Sequence, residues 1–393
     1  MTFPIERLRA DTPSCKNYVH LNNAGASPMP EPVYQSVLRH LDLERRIGGY
    51  AAHDVAHAEV DNFYREAAEL IGADGPDEIA FVENATRAWD MAFYGLRFRP
   101  GDRIITHASE YASNYLAMVQ RATREGIIID LAPSDETGQI DEDAVRRLIG
   151  PRTRLIALTH CPTQGGLINP AETIGRIANE NAVPFLLDAC QSAGQLDLNV
   201  KKLHCDMLCV TGRKFLRGPR GTGFLYVRRS MLEHLDPPFA DLHSANLTPE
   251  GHLLQAGGAQ RFETWERNIA GVIGLAEAIR YARTVGLPAI EARVRNLASD
   301  LRSMLAETDS FHCFDTGPDL SGIVTFRHHM EAATDTAARL RRAGVHVSVS
   351  SALHAPLDFS TRIGAPVVRA SIHCFNDRGD LERLLSALKE TPD

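Results

Sequence analysis

Only five of the chain's 42 basic side chains are lysine, and of these Lys214 alone lies between two apolar runs. Met207 to Val210 precede it and Gly223 to Val227 follow. The intervening Thr211-Gly212-Arg213-Lys214-Phe215-Leu216-Arg217-Gly218-Pro219-Arg220-Gly221-Thr222 reads as a turn at a strand end, where α/β proteins carry their chemistry. In an arginine-rich chain a lysine is needed where the amine must lose its proton. An amine yields to burial and neighbouring cations, whereas a guanidinium stays charged. Arg213, Arg217 and Arg220 supply such neighbours. The chemistry that fits is a Schiff base to a carbonyl cofactor or substrate. A lysine in a solvated basic loop is the competing reading. A phosphate loop over Gly218 to Gly223 is a third, but its spacing is neither the Walker nor the dinucleotide fingerprint, and a strand follows instead of a helix.

A second stretch weighs towards the Schiff base. Pro184-Phe185-Leu186-Leu187-Asp188 is an apolar strand ending in an acid, upstream of Lys214. Pyridoxal phosphate needs a carboxylate against its pyridinium nitrogen to keep the ring able to accept electrons. A strand-end aspartate and a lysine turn on neighbouring strands supply both partners.

The elements that position these residues follow from periodicity. Strand candidates at Glu78 to Val82, Arg103 to His107, Gly126 to Leu131, Leu155 to His160 and Pro184 to Asp188 alternate with helical patterns from Thr86, Ala112, Asp141 and Ala171. Such alternation implies a parallel sheet covered by helices on both faces. Two helices precede it, Pro30 to Arg46 and His53 to Ile71, and Asp241 to Gly258 reads as a long loop. After a connecting helix from Ile269 to Arg283, strands at Gly322 to Phe326, Val345 to Val349 and Val367 to Ile372 with helices between them indicate a smaller α+β unit. The expected division is an N-terminal arm over 1–27, a large domain over 28–260 and a small C-terminal domain over 261–393.

Several loop residues are candidates beside ordinary structural readings. Ala85 and Thr86, where a strand turns into a helix N-terminus, suit an anion such as a cofactor phosphate. Tyr111 follows a strand and suits stacking on an aromatic cofactor; Tyr50 is an active-site aromatic or a packed surface tyrosine. His160 is weighed as an acid or base against a structural histidine. Asn23 and Ala24 lie in a run of small residues that lets backbone approach a ligand closely. Arg369 sits inside an apolar strand and needs an anion, either a structural carboxylate or a substrate carboxylate held by its fork.

A length of 393 residues with 44% apolar and 23% charged side chains is ordinary for a globular chain, and a net charge of -8 argues against nucleic acid as a partner. Seven cysteines without paired spacing read as reduced thiols in a cytoplasmic protein. His204, Cys205 and Cys209 are weighed as a metal site and set aside, because thiols on an apolar strand behave as small hydrophobes. No metal is expected. No run approaches the roughly 18 apolar residues of a membrane span, and the first 25 residues lack a signal-peptide pattern.

With these motifs in order, the sequence resembles the class V aminotransferase superfamily of pyridoxal-phosphate enzymes. That group includes cysteine desulfurases, selenocysteine lyases, isopenicillin N epimerase-like proteins and ergothioneine-type carbon-sulfur lyases. The resemblance runs from Leu21 to the last helix. It implies the fold type I of pyridoxal-phosphate transferases, with a mostly parallel seven-stranded sheet, and a homodimer with shared active sites, the loop near Trp265 to Asn268 entering the partner's site. It also implies residue roles: Lys214 as the Schiff-base lysine, Asp188 as the pyridinium partner, Gln191 at the phenolate oxygen and Tyr111 stacked on the ring. Ala85, Thr86, Thr211 and Arg213 fall at phosphate contacts, and Arg369 at the substrate carboxylate. Thr163 stands where many relatives have asparagine.

One departure bears on function. Desulfurases carry a cysteine on a loop before the final strands, and here that loop reads Ser348-Val349-Ser350-Ser351-Ala352-Leu353-His354. The resemblance therefore favours β-elimination from an S-substituted L-cysteine to thiol, pyruvate and ammonia over persulfide chemistry. Transamination, epimerisation and decarboxylation of a related amino acid are the alternatives.

Overall fold

A computed structural model describes residues 3–389; the outermost residues of the expected arm and small domain lie outside it. The central sheet has seven strands, ordered Ile79–Val82, Gly223–Val227, Met207–Thr211, Phe185–Asp188, Thr153–Thr159, Arg103–His107 and Ile128–Ala132 from edge to edge. Gly223–Val227 runs antiparallel to both its neighbours and the other pairings are parallel. The mostly parallel α/β sheet expected from the alternation is the one observed. Strands buried on both faces explain why the runs are continuously apolar: every residue of Phe185–Asp188, Met207–Thr211 and Gly223–Val227 is buried.

A second, four-stranded antiparallel sheet orders Phe311–Cys313, Ile323–His328, Val367–Ser371 and Ser348–Ser350. The N-terminal arm lies along this part of the chain. Val19–His20 pairs in parallel with Val345–His346, and the N–H of Ser371 donates to the carbonyl of Leu21 at 2.7 Å.

Several elements differ from the sequence reading. The arm contains a helix, Ile5–Ala10, anchored by the buried Leu8. Gly48, at φ +86, separates two helices that nearly abut, Glu31–Ile47 and Gly49–Ile71, so Tyr50 is in the first turn of the second and not in a loop before it. The 241–258 stretch holds a small hairpin, Ala245–Leu247 with Leu253–Gln255, whose turn uses Gly251 at φ +85. The apolar run Val345 to Val349 divides between two sheets, Val345–His346 pairing with the arm and Ser348–Ser350 with the final strand. Among the described residues no helix is long and apolar enough to cross a membrane.

Candidate active site

The C-terminal ends of adjacent strands bring the principal candidates together. Thr159, Asp188 and Cys209 stand in register across three strands, so Asp188 sits mid-sheet where its strand ends. Its Oδ1 accepts from the N–H of Cys190 at 2.8 Å and its Oδ2 from Nδ2 of Asn114 at 2.8 Å. Both donors are neutral. Burial pushes the Asp188 carboxyl up, against these two hydrogen bonds and the Lys214 charge.

Lys214 is buried, and its Nζ lies 3.2 Å from Sγ of Cys190, two residues beyond Asp188. Its loop is fixed from two sides. Nε2 of His373 donates to the carbonyl of Phe215 at 2.8 Å, in a stack of Phe215, His373 and Phe375. Arg217 has left-handed backbone, φ +61, a conformation that costs any residue bearing a Cβ. Its guanidinium donates to the carbonyl of Pro28 at 3.0 Å and to Oγ1 of Thr12 at 2.6 Å. Arg217 therefore ties the lysine loop to the arm, and Arg220 is exposed.

Thr163 is the hub on the opposite side. Its hydroxyl oxygen is met by Nε2 of Gln191 at 3.2 Å and by Nη1 of Arg369. Gln191 also donates to the carbonyl of Ala24 at 3.1 Å, which brings the arm to the site. Asn23 is buried, donating to the carbonyl of Ser371 at 2.8 Å and accepting from the hydroxyl of Ser27. Arg369 further donates to the carbonyl of Thr163 at 3.2 Å, to Oγ of Ser348 at 3.0 Å and to Oδ1 of Asn22 at 3.4 Å. All these acceptors are neutral, and among the described residues no carboxylate pairs with Arg369. Burial brings this guanidinium down to about 10, so it stays charged at neutral pH.

The remaining candidates take their places around this group. Tyr111 precedes the Ala112–Glu125 helix, and the N–H of Ala112 donates to the carbonyl of His354 at 2.9 Å, joining it to the loop after Ser348–Ser350. Arg213 donates to Oγ1 of Thr211 at 3.1 Å. Ala85 is buried and Thr86 exposed in the first turn of the Ala85–Gly95 helix, whose N-cap Asn84 packs near Gly223. His160 is buried and brought down to about 4 by burial, and its Nδ1 is buried without a hydrogen-bond partner. Tyr50 stands apart in this chain, exposed in a cavity of about 350 Å³ that Trp265, Arg267 and His243 also line. Cys205 and Cys209 are buried on or beside their strand.

Sequence reasoning missed Asn114, Cys190, Asn22 and Ser348. Asn114 lies one helical turn beyond Tyr111, a spacing that could have signalled a shared face; the others become visible only through tertiary pairing.

Residues 19–384 match the family model for the class V aminotransferases. The chain belongs to that family. A probable cysteine desulfurase of Methanothermobacter thermautotrophicus is 28% identical to this class V chain over 396 residues, covering 98% of it and 97% of the relative. The apo structure of a cysteine desulfurase from Thermococcus onnurineus superposes with a TM-score of 0.91 at 28% identity, covering 99% of this chain and 98% of that one. The cystine C-S lyase C-DES, in complex with its product cysteine persulfide, matches with a TM-score of 0.87 over 97% of this chain and 100% of that one; at 22% identity this is a likeness of fold.

Class V enzymes use pyridoxal phosphate, and the residues present fit it. Asp188 is a buried carboxylate with neutral donors only. Lys214 is close by, and Oε1 of Gln191 is buried without a hydrogen-bond partner, which is unusual unless a further polar group completes the site.

Proposed function

We propose that this class V enzyme is a carbon-sulfur lyase that eliminates the thiol from an S-substituted L-cysteine, giving thiol, pyruvate and ammonia. The observation that carries the reading is Arg369, a buried guanidinium surrounded by neutral acceptors beside the Lys214 and Asp188 group. A buried cation of this kind is stable when it meets an anion, and its planar fork suits a carboxylate.

In this reading Asp188 and Gln191 hold the cofactor ring, Tyr111 covers it, and Ala85, Thr86, Thr211 and Arg213 receive its phosphate. When bound, the cofactor supplies an electron sink for the charge left on the substrate α-carbon. Arg369 orients the substrate by its carboxylate, with Thr163 fixing the fork and Asn23 and Ala24 closing the arm over it. The amine of Lys214 removes the α-proton, the thiolate leaves from the neighbouring carbon, and the released aminoacrylate takes up water to give pyruvate and ammonia. Two further expectations belong to the same reading. Exposed apolar side chains, among them Leu41 on Glu31–Ile47, Tyr50 on Gly49–Ile71, Leu242, Leu254 and Trp265, support a homodimer in which Tyr50 and the 265–268 loop complete the partner's site. Seven free cysteines support a reducing, cytoplasmic setting.

Desulfuration of cysteine is the second reading, favoured by the names of the relatives. It differs in its products, which are alanine and a protein-bound persulfide. Incubation with L-cysteine and with a panel of S-substituted L-cysteines, without any keto acid, separates the readings. Pyruvate and thiol in equal amounts support elimination; alanine without pyruvate would replace it with desulfuration, and a cofactor left in its amine form would point to transamination.

A further inference from the structure

Glu110 is a fully buried acid that the proposed reaction leaves without a role. It ends the loop after Arg103–His107, and its Oε1 accepts from the N–H of Tyr111 at 2.9 Å, from the hydroxyl of Thr159 and from Nδ2 of Asn114 at 2.8 Å. Its Oε2 lies 3.3 Å from the hydroxyl of Thr106. The same Nδ2 of Asn114 gives its other hydrogen to Oδ2 of Asp188, also at 2.8 Å. One amide nitrogen therefore bridges two buried carboxyl groups, whose nearest oxygens lie no more than twice that distance apart.

Neither carboxyl group forms an ion pair among the described residues. Around the couple stand Tyr111 on the same loop, Cys161 beyond the Thr153–Thr159 strand, Cys190 beyond Asp188, Cys209 on the neighbouring strand with Asp90 acting on it from the Ala85–Gly95 helix, and Lys214. Burial keeps the three thiols un-ionised, and Lys214 acts on Asp188 and Cys190. Two adjacent negative charges in so dry a place are not sustained without a further cation. Burial, and after it the charge of Asp188, push Glu110 up to about 7.

We propose that Glu110 holds a proton on Oε2, directed at Thr106, in the cofactor-free protein, and releases it to solvent when a protonated pyridine nitrogen settles against Asp188. Glu110 is thus a positioning residue that works through Asn114 and makes cofactor retention depend on pH. The inference rests on the reading of Asp188 as the partner of the pyridine nitrogen. The cofactor-free state binds the extra proton, so cofactor affinity rises with pH across the range in which Glu110 titrates.

The test strips the cofactor from the wild-type and Glu110→Gln holoenzymes and titrates pyridoxal phosphate back between about pH 6 and 8, following absorbance. Ionisations of the cofactor itself are common to both proteins, so the difference between the two profiles isolates Glu110. Wild-type affinity should gain up to roughly tenfold more per pH unit than the variant's near pH 7. Parallel profiles would overturn the proposal. Should Glu110→Gln not fold, the wild type alone decides: the infrared carbonyl stretch of an un-ionised carboxylic acid at acid-side pH should be present before loading and lost after it. Its absence before loading, or its persistence afterwards, contradicts the proposal. Failure of the folded wild type to bind the cofactor at all overturns the reading of Asp188, a result distinct from parallel profiles.

Discussion

The amine of Lys214 lies 3.2 Å from the thiol of Cys190. A cation so close ordinarily favours the thiolate, but burial outweighs it here and leaves the Cys190 thiol raised. Cys190 is also the cysteine in contact with Lys214, while the loop from Ser348 to His354 has none. A sulfur acceptor at this site would therefore have to be a poor nucleophile. Replacing Cys190 with alanine should change the rate of pyruvate formation by no more than roughly threefold, about 0.7 kcal/mol. A loss of several hundredfold, measured on the same substrate, would make the thiol a participant.

Arg369→Gln removes the fixed cation but keeps a neutral donor. A charge-assisted, buried contact to the substrate carboxylate accounts for about 3–4 kcal/mol, so kcat/KM should fall by roughly a hundred- to a thousandfold. The decarboxylated analogue, an S-substituted cysteamine, should bind the variant and wild type alike. Equal losses for both ligands would place Arg369 in a structural role.

Gly194 lies against the lysine loop at φ +92, and a Cβ there would come 2.4 Å from the carbonyl carbon and oxygen of Phe215. Alanine at 194 has neither the space nor the backbone freedom. We expect Gly194→Ala to destabilise the fold by about 2–4 kcal/mol and to weaken cofactor retention by moving Lys214. An unchanged melting temperature with full cofactor occupancy would show that the loop can shift freely.

Four imidazoles, three of them buried and that of His20 partly so, make stability depend on pH. Burial brings His20, His107 and His160 down to about 4 and His373 to about 3. Each is neutral when folded and takes up a proton near pH 6.5 when unfolded. The unfolded chain thus binds more protons across that interval, and stability falls as the pH drops through it, by about 1.4 kcal/mol per pH unit for each ring. Glu110, protonated in the fold up to about 7, opposes them, as do the carboxyls of Asp90, Asp188 and Asp206 that burial raises, while the lowered imidazoles of His346 and His354 act in the same direction as the four. The melting temperature should fall steadily below about pH 6; a flat profile down to pH 4.5 would contradict the burial of these rings.

The parts of the site legible in the sequence were those whose signal is local. Lys214 and Asp188 announce themselves because a lone lysine turn and a strand-end acid each interrupt an apolar run, and Arg369 because a charge inside an apolar strand demands a partner. Its actual partners were not legible. Thr163 lies 206 positions away from Arg369 and Asn22 347, and only the packing of the arm and the second sheet brings them together. Asn114 reaches Asp188 across 74 positions because non-sequential strands adjoin, an order that periodicity does not specify. Helices and strands over whole runs were readable for the same local reason, whereas the division of Val345 to Val349 between two sheets depends on the arm arriving to pair with its first half.

The central claim is that sulfur leaves the site with the product and does not stay on the enzyme. Intact-protein mass spectrometry after a single turnover with L-cysteine, and with an S-substituted L-cysteine, tests it most directly. The account predicts an unchanged protein mass with thiol or sulfide and pyruvate formed in equal amounts. One added sulfur atom on Cys190 or any other cysteine, with alanine as the partner product, would contradict it.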